Sequence, residues 1–211
     1  MTPLSRRAFT TAAMASLLVG CGGHGTEPAA SARSRRTRGT NAADEGPSAP
    51  ESANSTRSLA RSAPVRLRIP AIGVDTPVIR LGLAANGTVQ VPPITADDRA
   101  GWYRHSPTPG QVGPSVILGH VTVGAYGDGV FRHLARLHRG DRIVARREDG
   151  SSAEFAVSAV RTVAKADFPA DDVYGDVDRP ELRLITCGGP RAGDEYRDNV
   201  IVFAELSSTS P

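Results

Sequence analysis

The sequence predicts a mainly β domain, a sandwich or a barrel. Three observations predict it: strict alternation in Val65-Arg66-Leu67-Arg68-Ile69, a succession of short apolar runs between turn residues, and almost no helical spacing. Val65–Ile69 alternates as a half-buried strand does. Pro70, Gly73, Pro77, Gly82 and Asn86-Gly87 then cut the chain into short extended pieces, Val89-Gln90-Val91 among them. Ser115 to Val121 is an apolar run expected as a buried strand ending at His120. Asp141–Arg147 and Ala153–Val163 flank Asp149-Gly150, which signals a β-hairpin. Glu181–Cys187 and Asn199–Leu206 complete the set. Only Val130–Leu137 has the spacing of a helix, and a short one.

At 211 residues the chain holds one ordinary domain with an appended tail. Residues 1–62 carry eight arginines against four acids; the rest, sixteen arginines and one lysine against eighteen acids, is slightly acidic. A nucleic-acid module concentrates positive charge on its folded part, so no nucleic-acid partner is expected. Two cysteines, Cys21 and Cys187, cannot build a disulfide framework, and no apolar run approaches the ~20 residues of a spanning helix.

The N-terminus reads as an address. Met1–Arg7 is short and positive, Ala8–Val19 is apolar or small, and small residues follow, the order of a secretory signal. Leu18-Val19-Gly20-Cys21 resembles a bacterial lipobox, which implies that the Cys21 thiol receives a diacylglyceryl group and becomes the mature N-terminus. Ser5-Arg6-Arg7-Ala8-Phe9 resembles the twin-arginine export signal. Residues 22–62 are rich in Ser, Ala, Gly, Pro, Thr and Arg and lack bulky apolar residues until Leu59; such a stretch cannot offset its ordering entropy and is expected as a disordered tether. The organisation expected is a signal over 1–21, a tether over 22–62 and a domain over 63–211. The domain is placed on the extracytoplasmic face of the membrane, held by lipid.

With Cys21 assigned to lipid, Cys187 is the sole thiol of a protein working outside the cell, either buried and inert or kept for reactivity. In Leu182–Cys187, alternation puts Leu182, Leu184 and Thr186 on one face and Arg183, Ile185 and Cys187 on the other. If the leucines face the core, Cys187 looks outward at the strand's end, and Gly188-Gly189-Pro190 breaks the strand and leaves room for a substrate backbone. A thiol nucleophile needs an imidazole partner and an oxyanion donor. His120, at a strand end beside Gly119, is the candidate. His133 and His138 read as surface residues, His105 as part of a Pro-rich turn, and His24 lies in the tether. Arg197 opens the final strand ten residues after Cys187. No cofactor or metal site is expected; Asp171-Asp172 and Asp194-Glu195 read as solvated pairs.

Leu184-Ile185-Thr186-Cys187, Gly119-His120 after an apolar strand, and Tyr196-Arg197-Asp198-Asn199-Val200-Ile201-Val202 together resemble the three ordered motifs of sortases, cysteine transpeptidases of Gram-positive bacteria. Arg68–Val74, Gly101-Trp102-Tyr103, Phe131–Leu137 and Glu181–Gly189 resemble class F members more specifically. The likeness spans residues 64 to 206. It implies a closed β-barrel of about eight strands with one or two short helices. It further implies that His120, Cys187 and Arg197 are catalytic, with Thr186 a packing or substrate-positioning residue. The implied substrates are surface proteins with a C-terminal Leu-Pro-x-Thr-Gly-like signal, and the implied acceptor is an amine such as that of a peptidoglycan precursor. A monomer is expected. Thr122 stands where Asp is common, and Pro190–Glu195 replaces the usual loop, so substrate preference stays open. Two other readings compete: a lipid-anchored module that binds sorting peptides without turnover, and an L,D-transpeptidase. The latter's signature sets Ser-x-Gly before the Cys and Arg two places after it, where this chain has Leu184-Ile185-Thr186 and Gly189.

Overall fold

The computed structural model describes residues 58–94, 99–193 and 195–211. The signal over 1–21 with Cys21, and residues 22–57 of the expected tether, lie outside them. The eight strands are β1 (Pro64–Ile69), β2 (Val74–Leu81), β3 (Ala100–Tyr103), β4 (Gly113–Leu118), β5 (Arg142–Arg147), β6 (Ser152–Ala164), β7 (Pro180–Ala192) and β8 (Glu195–Ser210). They close into a barrel in the order β1-β2-β3-β4-β7-β8-β6-β5, the architecture expected. Two neighbouring pairs, β2–β3 and β4–β7, are parallel; the others are antiparallel.

Alternation sorts each strand's side chains into two clusters. Leu67, Ile69, Trp102, Ile117, Ile143, Phe155, Leu182, Leu184, Val200 and Val202 fill the barrel together with Phe131, Leu134 and Leu137. Val116, Ile185, Ile201 and Phe203 point outward from β4, β7 and β8, and Val173 covers them from α1 (Ala170–Tyr174), the one α-helix among the described residues. β7 is therefore buried on both faces from Pro180 to Thr186. The leucine face is the core, the condition under which Cys187 looks outward.

The sequence places three features differently. The helix expected over Val130–Leu137 is only a 3-10 turn at Leu134–Arg136, because Phe131, Leu134 and Leu137 are used to plug the barrel. The α-helix lies at Ala170–Tyr174 instead, where one buried residue, Val173, supplies no periodicity to read. Gly188-Gly189-Pro190 does not end its strand: β7 continues to Ala192 through a register shift between Gly188 and Arg191. Gly189 takes a φ of 69° there, which glycine adopts freely.

Among the described residues of the stretch read as tether, Leu59 already contacts the barrel, as its first bulky apolar residue. Leu59 packs against the core, and its N–H donates to Gly110 O at 2.7 Å. The buried Arg147 holds the same segment, donating to the carbonyls of Ala60 and Ser62 and to Ser151 Oγ.

The outer layer rests on a buried ion pair. Arg183, 3% exposed, donates from Nη2 to Glu181 at 2.5 Å and from Nε to the Asp172 carbonyl of α1 at 3.2 Å, and it lies over the Phe203 ring. Arg183→Ala leaves Glu181 buried with Arg179 alone. A loss of about 3 kcal/mol is expected, read as a lower urea midpoint, with the double replacement E181M/R183M recovering most of it. A single variant as stable as the parent would contradict this account.

Candidate active site

Strands β4 and β7 run parallel in register from Gly113↔Pro180 to Leu118↔Ile185. The strand expected to reach His120 ends at Leu118, but the ladder continues one step further, with Gly119 N donating to Ile185 O at 3.1 Å. Counting on, His120 arrives level with Cys187, two residues past the last pair on each side. Neighbouring strands lie about 4.8 Å apart, so the register delivers the imidazole and the thiol to one place. Both line a cavity of about 100 Å³ together with Val91, Pro92, Leu118, Gly119, Ile185, Thr186 and Asn199. Cys187 is a free, half-buried thiol.

Two glycines allow the close packing around His120. A Cβ on Gly119 would stand 2.6 Å from the Phe131 ring, and one on Gly129 would stand 2.3 Å from the backbone oxygen of His120. That oxygen accepts from Phe131 N at 2.9 Å, while Gly129 N donates to Val121 O at 3.0 Å, so residues 120–131 form a closed loop behind the histidine. On its other side His120 Nε2 lies 2.6 Å from Pro92 O.

Across the β7–β8 hairpin Cys187 pairs with Asn199. Directly opposite residues share a face, so Asn199 stands beside the thiol. Arg197 lies two residues earlier on β8, where the ladder shifts register between Gly188 and Arg191. The structure thus brings His120 and Cys187 into one cavity and sets exposed Arg197 one step beyond Asn199, not among the lining residues. Thr186 pairs with Val200, is 4% exposed, and its Oγ1 lacks a hydrogen-bond partner, as does Ser115 Oγ. Asn199 and Pro92 escape the sequence reading. Asn199 follows from the hairpin register alone; nothing in the sequence ties Pro92 to residue 120. Among the histidines set aside, His105 and His138 are exposed and His133 is half-buried. Larger clefts of about 390 and 520 Å³ open elsewhere, and neither contains a cysteine; the small cavity is the one of the three with a thiol.

A family model for the sortase domain matches residues 67–207. The chain belongs to the sortase family. The fold is similar to the SrtA sortase of Actinomyces oris (22% identity, 73% of this chain and 86% of that one, TM-score 0.53) and to sortase A of Corynebacterium diphtheriae (20%, 72% and 64%, 0.54). Sortase A of Listeria monocytogenes is a third match (19%, 70% and 90%, 0.52). No curated protein matches the chain in sequence. Sortases are, as a family, cysteine transpeptidases, and in this sortase the half-buried cysteine lines the cavity that also holds an imidazole.

Gly129→Ala tests how tightly the histidine loop is closed. The Cβ cannot share space with the His120 carbonyl, so the loop should shift at a cost of about 1–3 kcal/mol. Amide chemical-shift changes are expected to centre on His120 and Phe131. Unchanged shifts at both would contradict the packing described.

Proposed function

We propose that this sortase is a class F-like cysteine transpeptidase of the extracytoplasmic membrane face, tethered through lipid on Cys21. It would cut a Leu-Pro-x-Thr-Gly-like signal of surface proteins between Thr and Gly. The observation that carries the reading is the shared cavity of Cys187 and His120 at the matched ends of β4 and β7. In the proposed reaction the Cys187 thiolate attacks the Thr carbonyl carbon, and the carbon–nitrogen bond to Gly breaks as the His120 imidazolium gives its proton to the leaving amine. The acyl group rests on sulfur as a thioester. An acceptor amine, such as that of a peptidoglycan precursor, then attacks. It returns a proton to His120 and expels the thiolate; water gives slow hydrolysis. Because thiolate and imidazolium are both needed, the rate is bell-shaped in pH.

Arg197 is assigned to the substrate carbonyls or the oxyanion. Its place on β8 two residues before Asn199, the partner of Cys187, supports this, and its planar, permanently charged fork suits the task. A cavity of about 100 Å³ takes only the reacting residue, since a whole ligand fills roughly 300–1,000 Å³; the rest of the peptide lies outside it, past exposed Val91 at its wall. Thr186, next to Cys187 in the cavity wall, is assigned to packing or substrate positioning.

The test mixes the full chain with a Leu-Pro-x-Thr-Gly peptide and hydroxylamine, which intercepts a thioester as the hydroxamate. Cys187→Ala should lower hydroxamate formation by about 10³-fold or more, and Arg197→Lys should fall well short of wild-type rate. Cleavage that survives loss of the thiol would refute the reading. Intact mass of membrane-extracted protein should show residues 1–20 gone and a diacylglyceryl group on Cys21; an unprocessed leader would refute the anchor.

A further inference from the structure

We propose that the backbone carbonyl of Pro92 is the positioning group for His120. It fixes the ring's proton on Nε2 and leaves Nδ1 as the nitrogen that exchanges protons at the thiol. The inference rests on the transpeptidase reading for its chemistry but on geometry for its assignment. His120 Nε2 lies 2.6 Å from Pro92 O. A carbonyl oxygen only accepts, so Nε2 must be the donor. The neutral ring carries one N–H, which places the lone pair on Nδ1. The charged ring carries two, and the Nδ1 proton is then the one Pro92 does not hold. In acylation the Nδ1 proton therefore goes to the departing amine, and in deacylation Nδ1 takes the proton of the incoming amine. The Nε2 proton stays in place throughout.

The segment that delivers the carbonyl is stiff for a reason written in its sequence. Pro92 is buried and stands between Val91 and Pro93. Its own ring fixes φ near about −65°, and a following proline confines its ψ to roughly +120 to +160°; ψ is the angle that aims the C=O. The stretch before it is closed on itself. Gln90 N donates to Gly82 O at 3.0 Å, Gly82 N donates to Gln90 Oε1 at 2.8 Å, and Leu83 bridges Val89. Val91 and Pro92 then enter the wall of the Cys187 cavity. The histidine is held from behind by the 120–131 loop. The ring thus sits between a backbone that cannot retreat and a carbonyl that cannot turn away.

The experiment observes the full chain, 15N-labelled at histidine, by ring NMR at a pH where His120 is neutral, and pairs this with steady-state transpeptidation. In the wild type the His120 signal is expected to show a protonated Nε2 that exchanges slowly with water and an unprotonated Nδ1. Pro93→Gly frees ψ of residue 92 while touching neither the thiol nor the imidazole. Exchange of the Nε2 proton should accelerate at least about tenfold, and kcat should fall by about tenfold with a smaller change in KM. Pro92→Ala keeps Pro93 and its restriction on ψ, so it should keep the slow exchange. A wild-type ring with Nε2 unprotonated overturns the proposal, as does a Pro93→Gly variant whose exchange and kcat match the parent. Because the ring signal needs no turnover, a chain without transpeptidase activity that still shows the protected Nε2 proton supports the clamp while sinking the transpeptidase reading.

Discussion

The parallel pairing of β4 with β7 sets everything at the functional end of this barrel. Six aligned pairs, from Gly113↔Pro180 to Leu118↔Ile185, carry two distant stretches of chain upward side by side and release them at the same height. His120 and Cys187 are simply the next residues but one on each. A slip of one residue along either strand would send its side chains to the opposite face. Leu182 and Leu184 would then leave the core, and the thiol would enter the barrel. The apolar pattern that stabilises the interior is therefore the same device that aims the sulfur.

That arrangement makes β7 costly to enclose. A strand in the middle of β4-β7-β8 needs cover on both faces, and its outward face carries Arg183 and Glu181 as well as Ile185. The solution is the five-residue helix α1, whose Val173 supplies apolar cover and whose Asp172 carbonyl accepts from Arg183. Next to Cys187 that cover stops, and the thiol is half-buried where Ile185 and Thr186 are closed off. Exposure of the sulfur thus follows from where the outer layer ends. The proposed reaction needs such a place, dry on one side and open to a peptide on the other.

Two signals were legible in the sequence: a period of two gave Val65–Ile69 and the two faces of Leu182–Cys187, and the Asp149-Gly150 turn gave the hairpin. β2 was not, because Pro77 lies inside it; proline is tolerated there since the pairing with β3 starts only at Val78. β3, four residues long, offers too few positions for any period. Val130–Leu137 has helical spacing for another reason: its apolar residues join the barrel core from a chain of turns. Of the site, the thiol and the imidazole were legible from residue chemistry and strand ends. Asn199 required the hairpin register through a bulge at Gly188, and Pro92 required a contact between residues 28 apart in a loop without regular structure. Neither relation leaves a local mark.

The central claim is that the sulfur of Cys187, brought level with His120 by strand register, carries the acyl group. Its most direct test is acid-quenched mass spectrometry of the full chain after brief mixing with a Leu-Pro-x-Thr-Gly peptide, with the adduct located by proteolytic mapping. The account predicts an acyl mass equal to the fragment ending in Thr, attached at Cys187. A cleaved peptide accompanied by an adduct on any other residue would contradict it.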